Sequence, residues 1–221
     1  MALQCRHRLS EDLDFWLPHG TLANAAIRPA LEAARLSGFE WTLTTPPNQI
    51  GEFRIRSGVQ LENCARDYAV GGVRVQFFAP YGGDNDAFVP LIEPAITGVD
   101  TPSGWLNSSF RIMSLAGLFA MKSHIITRRH RTRDILDLWH FIQMGRSVAG
   151  VIAAARASNA AASADHIISV LRGDEPVDAD DEGFLSLAPD ADIARIRADF
   201  CAWTDAYEQE RARLLQSSDK P

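Results

Sequence analysis

Ser10-Glu11-Asp12-Leu13-Asp14-Phe15-Trp16-Leu17, residues 10–17, is the stretch on which the fold turns. Its large apolar residues end at Pro18-His19-Gly20, so residues 13–17 read as a short buried strand closed by a turn. Side chains alternate between the two faces of a strand, so Asp12 and Asp14 project together while Leu13 and Phe15 face a core. Two parallel carboxylates repel one another unless a cation lies between them, and a divalent metal is the usual solution. Hard oxygen donors favour Mg²⁺ or Mn²⁺, which commonly take substrate phosphates and water as further ligands. The plainer alternative is a solvated acidic strand entry, because a DxD pattern is short and common.

Working outward, residues 22–36 carry Leu22, Ala26, Ile27, Ala30, Leu31 and Ala34 at helical spacing. Pro29 inside that pattern predicts a helix that is kinked or starts late. Residues 39–45 alternate as a strand and stop at Pro46-Pro47. Residues 52–56 (EFRIR) and 73–78 (VRVQFF) alternate polar and apolar, which predicts two half-buried strands of an antiparallel or mixed sheet. Residues 80–109 are rich in Gly, Pro, Asp and Ser and read as loops with one weak strand near Ile96. From Ser114, a candidate N-cap, the period becomes helical: 115–126, 134–141, an Ala-rich 148–162 and 193–215 are the expected helices, with 176–182 an acidic linker. The expected fold is α+β, a mixed β-sheet core with flanking helices over residues 1–113, then a C-terminal helical region over 114–221. Trp16, Trp41, Trp105, Trp139 and Trp203 read as core residues; His19, His124, His130 and His166 read as surface or loop residues.

Composition bounds the class. With 221 residues, 46% hydrophobic and 23% charged, the chain lies in the globular range. A chain of this length buries about 70% of its unfolded surface and needs no disulfide or metal staple. Cys5, Cys64 and Cys201 form no CxxC pair, which argues against a structural zinc site and a secreted disulfide scaffold. No apolar run approaches the roughly 18 residues of a membrane span, and residues 1–15 lack a signal-peptide core, so a soluble cytoplasmic protein is expected. The net charge of −6 is uneven: residues 165–221 hold 14 acids and 6 bases, residues 1–164 hold 14 acids and 16 bases. An acidic tail therefore hides a mildly basic remainder able to meet a polyanion.

Lys122, Arg128, Arg129, Arg131, Arg133, Asp134 and Asp137 form the second constellation. Residues 118–146 carry six bases against two acids, a balance that suits a triphosphate or an RNA backbone. Lys122 falls at the edge of the apolar face of its helix. The bland alternatives are a solvated basic helix end, and aspartates that pair locally with Arg131 or Arg133.

Together, His7-Arg8-Leu9-Ser10-Glu11-Asp12-Leu13-Asp14-Phe15 and Lys122…Arg129…Arg133-Asp134-Ile135-Leu136-Asp137-Leu138 resemble the AbiEii/AbiGii toxin nucleotidyltransferases of abortive-infection systems, in the polymerase-β-like superfamily. The resemblance covers roughly residues 1–145. It implies a nucleotidyltransferase core in which Asp12 and Asp14 hold Mg²⁺ or Mn²⁺ and a nucleoside triphosphate (NTP). Lys122 would serve catalysis and nucleotide binding, with Ser10, Arg129, Arg133, Asp134 and Asp137 also binding nucleotide. It implies transfer of a nucleotide to RNA such as tRNA, or to protein, and a cognate antitoxin as partner.

Family members carry a Gly-Gly or Gly-Ser turn some ten to thirteen residues before the first aspartate; no Gly precedes Asp12 here. A chain starting at an internal Met of a longer product, or a degenerate member, is the resulting expectation. A third acid would come from residues 73–78, where Gln76 stands instead; Asp67, Asp84 and Asp86 are the substitutes. Two rivals remain: a catalytically inactive binding module of the same fold, and a helical ribonuclease using Arg133 and His140. Ser10 and His7 show no third member of a nucleophilic triad.

Overall fold

The computed structural model describes residues 12–17, 21–22, 24–79, 92–94, 111–179 and 191–218. They fall into two compact units, one within residues 10–89 and one within residues 90–221.

The first unit is built on a four-stranded mixed sheet. Its elements are β1 (Asp12–Trp16), α1 (Asn24–Leu36), β2 (Trp41–Leu43), α2 (Pro47–Ser57), a 3₁₀ turn at Leu61–Asn63, β3 (Ala65–Val70) and β4 (Val73–Phe78). Strand order is β1-β4-β3-β2, with β1 parallel to β4 and the other neighbours antiparallel. The β3–β4 hairpin turns on Gly71 and Gly72 at φ 57° and 82°, the left-handed pair that a two-residue hairpin of the right twist demands. A Cβ on Gly71 would come within 2.7 Å of the Phe39 ring, so glycine is also required there by space.

One face of this sheet is apolar. Phe15 stacks on Phe77 at 5.1 Å, Tyr68 meets Phe77 edge-on at 5.9 Å, and Leu22, Ile27 and Leu31 pack with Tyr68. Helix α1 forms through Pro29 rather than after it; the proline removes one backbone donor early in the helix.

Two sequence expectations fail here. Residues 52–56 are the second half of α2, not a strand. Pro47 at the first helical position and Gly58 in the left-handed region, its N–H donating to the Arg54 carbonyl, frame a helix. The alternation reflected no core, since Ile55 is 87% exposed and no α2 residue is buried. Strand β3 was not legible because Arg66 and Asp67 interrupt its apolar pattern; Arg66 Nε donates to the Glu62 carbonyl and Asp67 accepts from Gln76.

The second unit has a short antiparallel pair, β5 (Ile92–Pro94) and β6 (Arg111–Met113), and then helices α3 (Leu115–Ile125), α4 (Thr132–Gln143), α5 (Val148–Ser158), α6 (Ala164–Arg172) and α7 (Ile193–Ser218). Ile96 lies outside the described residues. Ser114 caps α3 as expected, accepting from Gly117 N–H at 3.0 Å. The Ala-rich helix ends at Ser158 and a further helix, α6, begins behind Ser163, whose hydroxyl accepts from His166 N–H. Ile126, Leu138, Phe141, Val151, Ile167, Leu171 and Phe200 form the enclosed centre of the bundle. His124 is buried rather than superficial, its Nδ1 2.9 Å from the Ser158 hydroxyl. Among the described residues no helix is long and apolar enough to cross a membrane.

Candidate functional site

Opposite its aromatic face, the sheet carries charge. The pairing register places Asp12 beside Arg74 in a row that continues to Ala69, and Asp14 beside Gln76 in a row that continues to Asp67. Residues paired across strands point to the same side, so Asp12, Arg74, Asp14, Gln76 and Asp67 share one face. Gln76 Nε2 donates to Asp67 Oδ1 at 2.6 Å, and Arg74 Nη2 lies 3.6 Å from Asp67 Oδ2. The Asp67 backbone N–H donates to Thr45 Oγ1 at 3.0 Å. Asp14 is exposed and Asp12 half-buried. Thr44, Pro46, Gln49, Asp67, Gly72 and Arg74 line an open cleft of about 480 Å³ on this unit.

Asp12 and Asp14 therefore share a side, as strand alternation predicts. The two carboxylates supply hard oxygen donors from adjacent positions of one strand face, a donor set that fits a divalent cation such as Mg²⁺ or Mn²⁺. Asp67 sits in the same row as Asp14 but two strands away, with Gln76 between them. Among the described residues, no group of three or more His, Cys, Asp or Glu side chains is placed to hold a metal. Asp84, Asp86 and Ser10 lie outside the described residues. Arg74 was not anticipated. Its placement on the polar face follows from the alternation of residues 73–78, but its placement beside Asp12 needs the strand register, which no local pattern supplies.

In the helical unit Lys122 is not the solvated end of a basic helix. It is buried, and its Nζ lies 2.5 Å from Asp134 Oδ1 and 2.7 Å from Asp137 Oδ2. Asp134 and Asp137, three apart on α4, present both carboxylates to it from one helix face, and both are fully enclosed. Arg129, from the α3–α4 connection, donates Nε to Asp134 Oδ2 at 2.9 Å. Burial opposes ionisation of Asp134, but Lys122 and then Arg129 outweigh it and hold its carboxyl below the usual carboxylate range. Two cations thus meet two carboxylates inside the bundle, where an unpaired charge would be strongly unfavourable. Arg129 keeps part of its side chain at the surface, and Arg133 is half-buried.

The acidic tail is partly neutralised within its own unit: Arg172 on α6 pairs with Asp205 and Glu208 of α7, and Asp199 accepts from Trp139 Nε1 at 3.0 Å.

Comparison with curated proteins and comparison with solved structures each gave no match. A family model described as "Nucleotidyl transferase AbiEii toxin, Type IV TA system" matches residues 1–216, well past the stretch that carries the two sequence motifs. The chain belongs to the AbiEii nucleotidyltransferase toxin family.

Proposed function

We propose that this protein is a toxin that binds an NTP with Mg²⁺ or Mn²⁺ on the Asp12–Asp14 face and transfers a nucleotide to an acceptor. The observation that carries the reading is the shared face of Asp12 and Asp14, with Arg74 alongside. Asp12 and Asp14 would hold the metal, which when bound would stabilise charge on the attacking and leaving oxygens as pyrophosphate departs. The protein's own part is to fix the triphosphate and to offset its charge with guanidinium groups. In the second motif, Arg129 and Arg133 are the groups proposed to meet phosphate. Lys122, Asp134 and Asp137 act as positioning residues that fix α3 against α4.

The acceptor is proposed to be RNA, tRNA among the candidates, or a protein side chain. The type IV toxin–antitoxin character of the family supports a cognate antitoxin as partner. Calorimetric titration of each NTP with Mg²⁺, on the wild type and on Asp14→Asn, tests the site. Affinity is expected to fall at least tenfold in the variant, and equal binding by both proteins would sink the reading. Incubation of labelled NTP with total RNA separates the activities: label on the RNA supports transfer, and shortened RNA supports a nuclease.

A further inference from the structure

Resting on the reading of Arg129 as a phosphate contact, we infer that enclosed Asp134 is the residue that positions it. Asp134 holds Arg129 by Nε alone and leaves the fork of its two Nη groups to take the oxygens of a phosphate.

The contacts run from the core outward. Lys122, which also meets Asp137, takes Asp134 Oδ1 at 2.5 Å, so Asp134 offers Oδ2 to Arg129. A carboxylate with both oxygens available commonly clamps an arginine by two parallel bonds. Here the grip is a single bond, Nε to Oδ2 at 2.9 Å. A guanidinium carries five N–H donors, and a bond through Nε leaves the four on Nη1 and Nη2. One N–H from each Nη forms the planar fork that matches two oxygens of a phosphate. The side chain of Arg129 is 38% exposed beside an aspartate with no exposure, so one end is anchored and the side chain still reaches the surface.

The backbone of Arg129 is fixed as well. Its N–H donates to the Ile125 carbonyl at 3.0 Å, in the turn that follows α3. A long side chain tied at its backbone and at Nε loses its rotamer freedom on folding rather than on binding, which favours affinity. Charge points the same way. Lys122 and Arg129 balance Asp134 and Asp137, so an arriving anion meets a neutral group. Without Lys122 the same arginine would stand beside an excess of negative charge, and Asp134 would have both oxygens to clamp it. The ligand group is a phosphate with two non-bridging oxygens. Two sources carry that chemistry, the triphosphate of an NTP and the backbone of an RNA acceptor.

Calorimetric titration of the full chain with sodium tripolyphosphate, with each NTP and Mg²⁺, and with a short RNA lacking terminal phosphates tests this. Arg129→Ala is expected to weaken binding about tenfold, the scale of charge-assisted hydrogen bonds. Loss with tripolyphosphate and NTP assigns the phosphate to the nucleotide, and loss with RNA alone assigns it to the acceptor. Arg129→Lys is expected to bind within about threefold of Arg129→Ala, because a lone ammonium is drawn to Asp134 and offers no fork. Asp134→Asn gives the telling sign. If charge alone mattered, removing a negative charge would tighten an anion; removing a positioning residue weakens it. Affinity is expected to fall at least about threefold in Asp134→Asn, and that loss to vanish when the change is made on Arg129→Ala. Asp134→Asn binding as tightly as wild type, with Arg129→Ala weakened, would overturn the inference and leave the phosphate contact standing. Unchanged affinity for every ligand in Arg129→Ala would overturn the phosphate contact and the inference together. A wild type that binds none of the three would overturn the proposed function as well. Should Asp134→Asn fail to fold, the Arg129 Nε–H signal, identified in ¹⁵N spectra by its absence from Arg129→Lys, decides. It should stay protected from exchange when the ligand is added, while the Nη signals shift. Loss of that protection would mean that the ligand draws Arg129 off Asp134, which overturns the positioning role.

Discussion

On the sheet, Arg74 meets Asp67 at 3.6 Å with its side chain more than half exposed; in the helical unit, Lys122 meets Asp134 and Asp137 at 2.5 and 2.7 Å with both carboxylates fully enclosed. Both are clusters of acids and bases, and a sequence pattern scores them alike. Burial separates their roles. An enclosed charge has surrendered its hydration and must be matched inside the protein, so the ions of the Lys122 group serve one another. A charge at the lip of a cleft keeps most of its hydration, and a phosphate that displaces this water can use it. The Lys122 group is thus a structural knot with Arg129 at its edge, whereas Arg74 on the sheet keeps 56% of its side chain exposed.

The largest effect should come from cutting the knot. Lys122→Met leaves two enclosed carboxylates facing each other, and removing one partner of a buried pair typically costs about 3–5 kcal/mol. Urea unfolding followed through Trp139 and Trp203 of the helical unit should show a loss of that size. A variant within about 1 kcal/mol of wild type would mean that water reaches the carboxylates and that the contrast with the sheet is weaker than its geometry. Combining Lys122→Met with Asp134→Asn and Asp137→Asn should recover part of the loss, since no enclosed carboxylate then stays uncompensated and Arg129, which loses its partner, keeps part of its side chain in solvent.

Acid gives the next effect. The Asp134 carboxyl is held below its ordinary value, so its contribution to stability is complete above the unfolded-state pKa of about 3.9 and is lost as pH falls through the lower folded value. Wild-type stability should therefore drop below about pH 4, where the unfolded chain binds a proton that the folded form does not. Asp134→Asn should be less stable at pH 7 and should show a flatter profile over the same range. Parallel profiles for the two proteins would place the acid-sensitive group elsewhere.

How much of this was legible in the sequence depended on whether a signal is local. Strand β1, strand β4 and the cap at Ser114 follow from alternation and from one hydroxyl at the right place. The shared face of Asp12 and Asp14 needs only the two-residue period of a strand. Residues 52–56 misled because five alternating residues satisfy a strand and an exposed helix equally, and the decision lay in Pro47 and Gly58 outside them. The enclosure of Lys122 was hidden for a different reason. Its partners lie twelve and fifteen residues away on another helix, and spacing does not say whether a lysine at the edge of an apolar face points out or in. Arg74 beside Asp12 depends on pairing strands far apart in the chain, which is a tertiary fact.

The smallest expected effect is the sharpest probe of the comparison, because it asks whether the Arg74–Asp67 pair, with its arginine 56% and its aspartate 18% exposed, does anything for the fold. A double-mutant cycle on Arg74→Ala and Asp67→Ala should give a coupling of about 0.2–1 kcal/mol, the range for solvent-exposed ion pairs, and it should shrink as salt is raised. The same cycle on Lys122 and Asp137 should give several-fold more and respond little to salt, since screening ions do not enter the bundle core. Asp67 complicates the first cycle: it also accepts from Gln76, so Asp67→Ala orphans that amide. Asp67→Asn separates the two contributions by keeping an acceptor for Gln76 while removing the charge that faces Arg74. If Asp67→Asn and Arg74→Ala each leave stability within about 0.5 kcal/mol of wild type, as surface substitutions usually do, the pair contributes little to folding. Its charges are then available to a ligand, as the open cleft beside them implies. A large, salt-insensitive coupling would instead make Arg74–Asp67 a second structural knot and remove the distinction between the two regions.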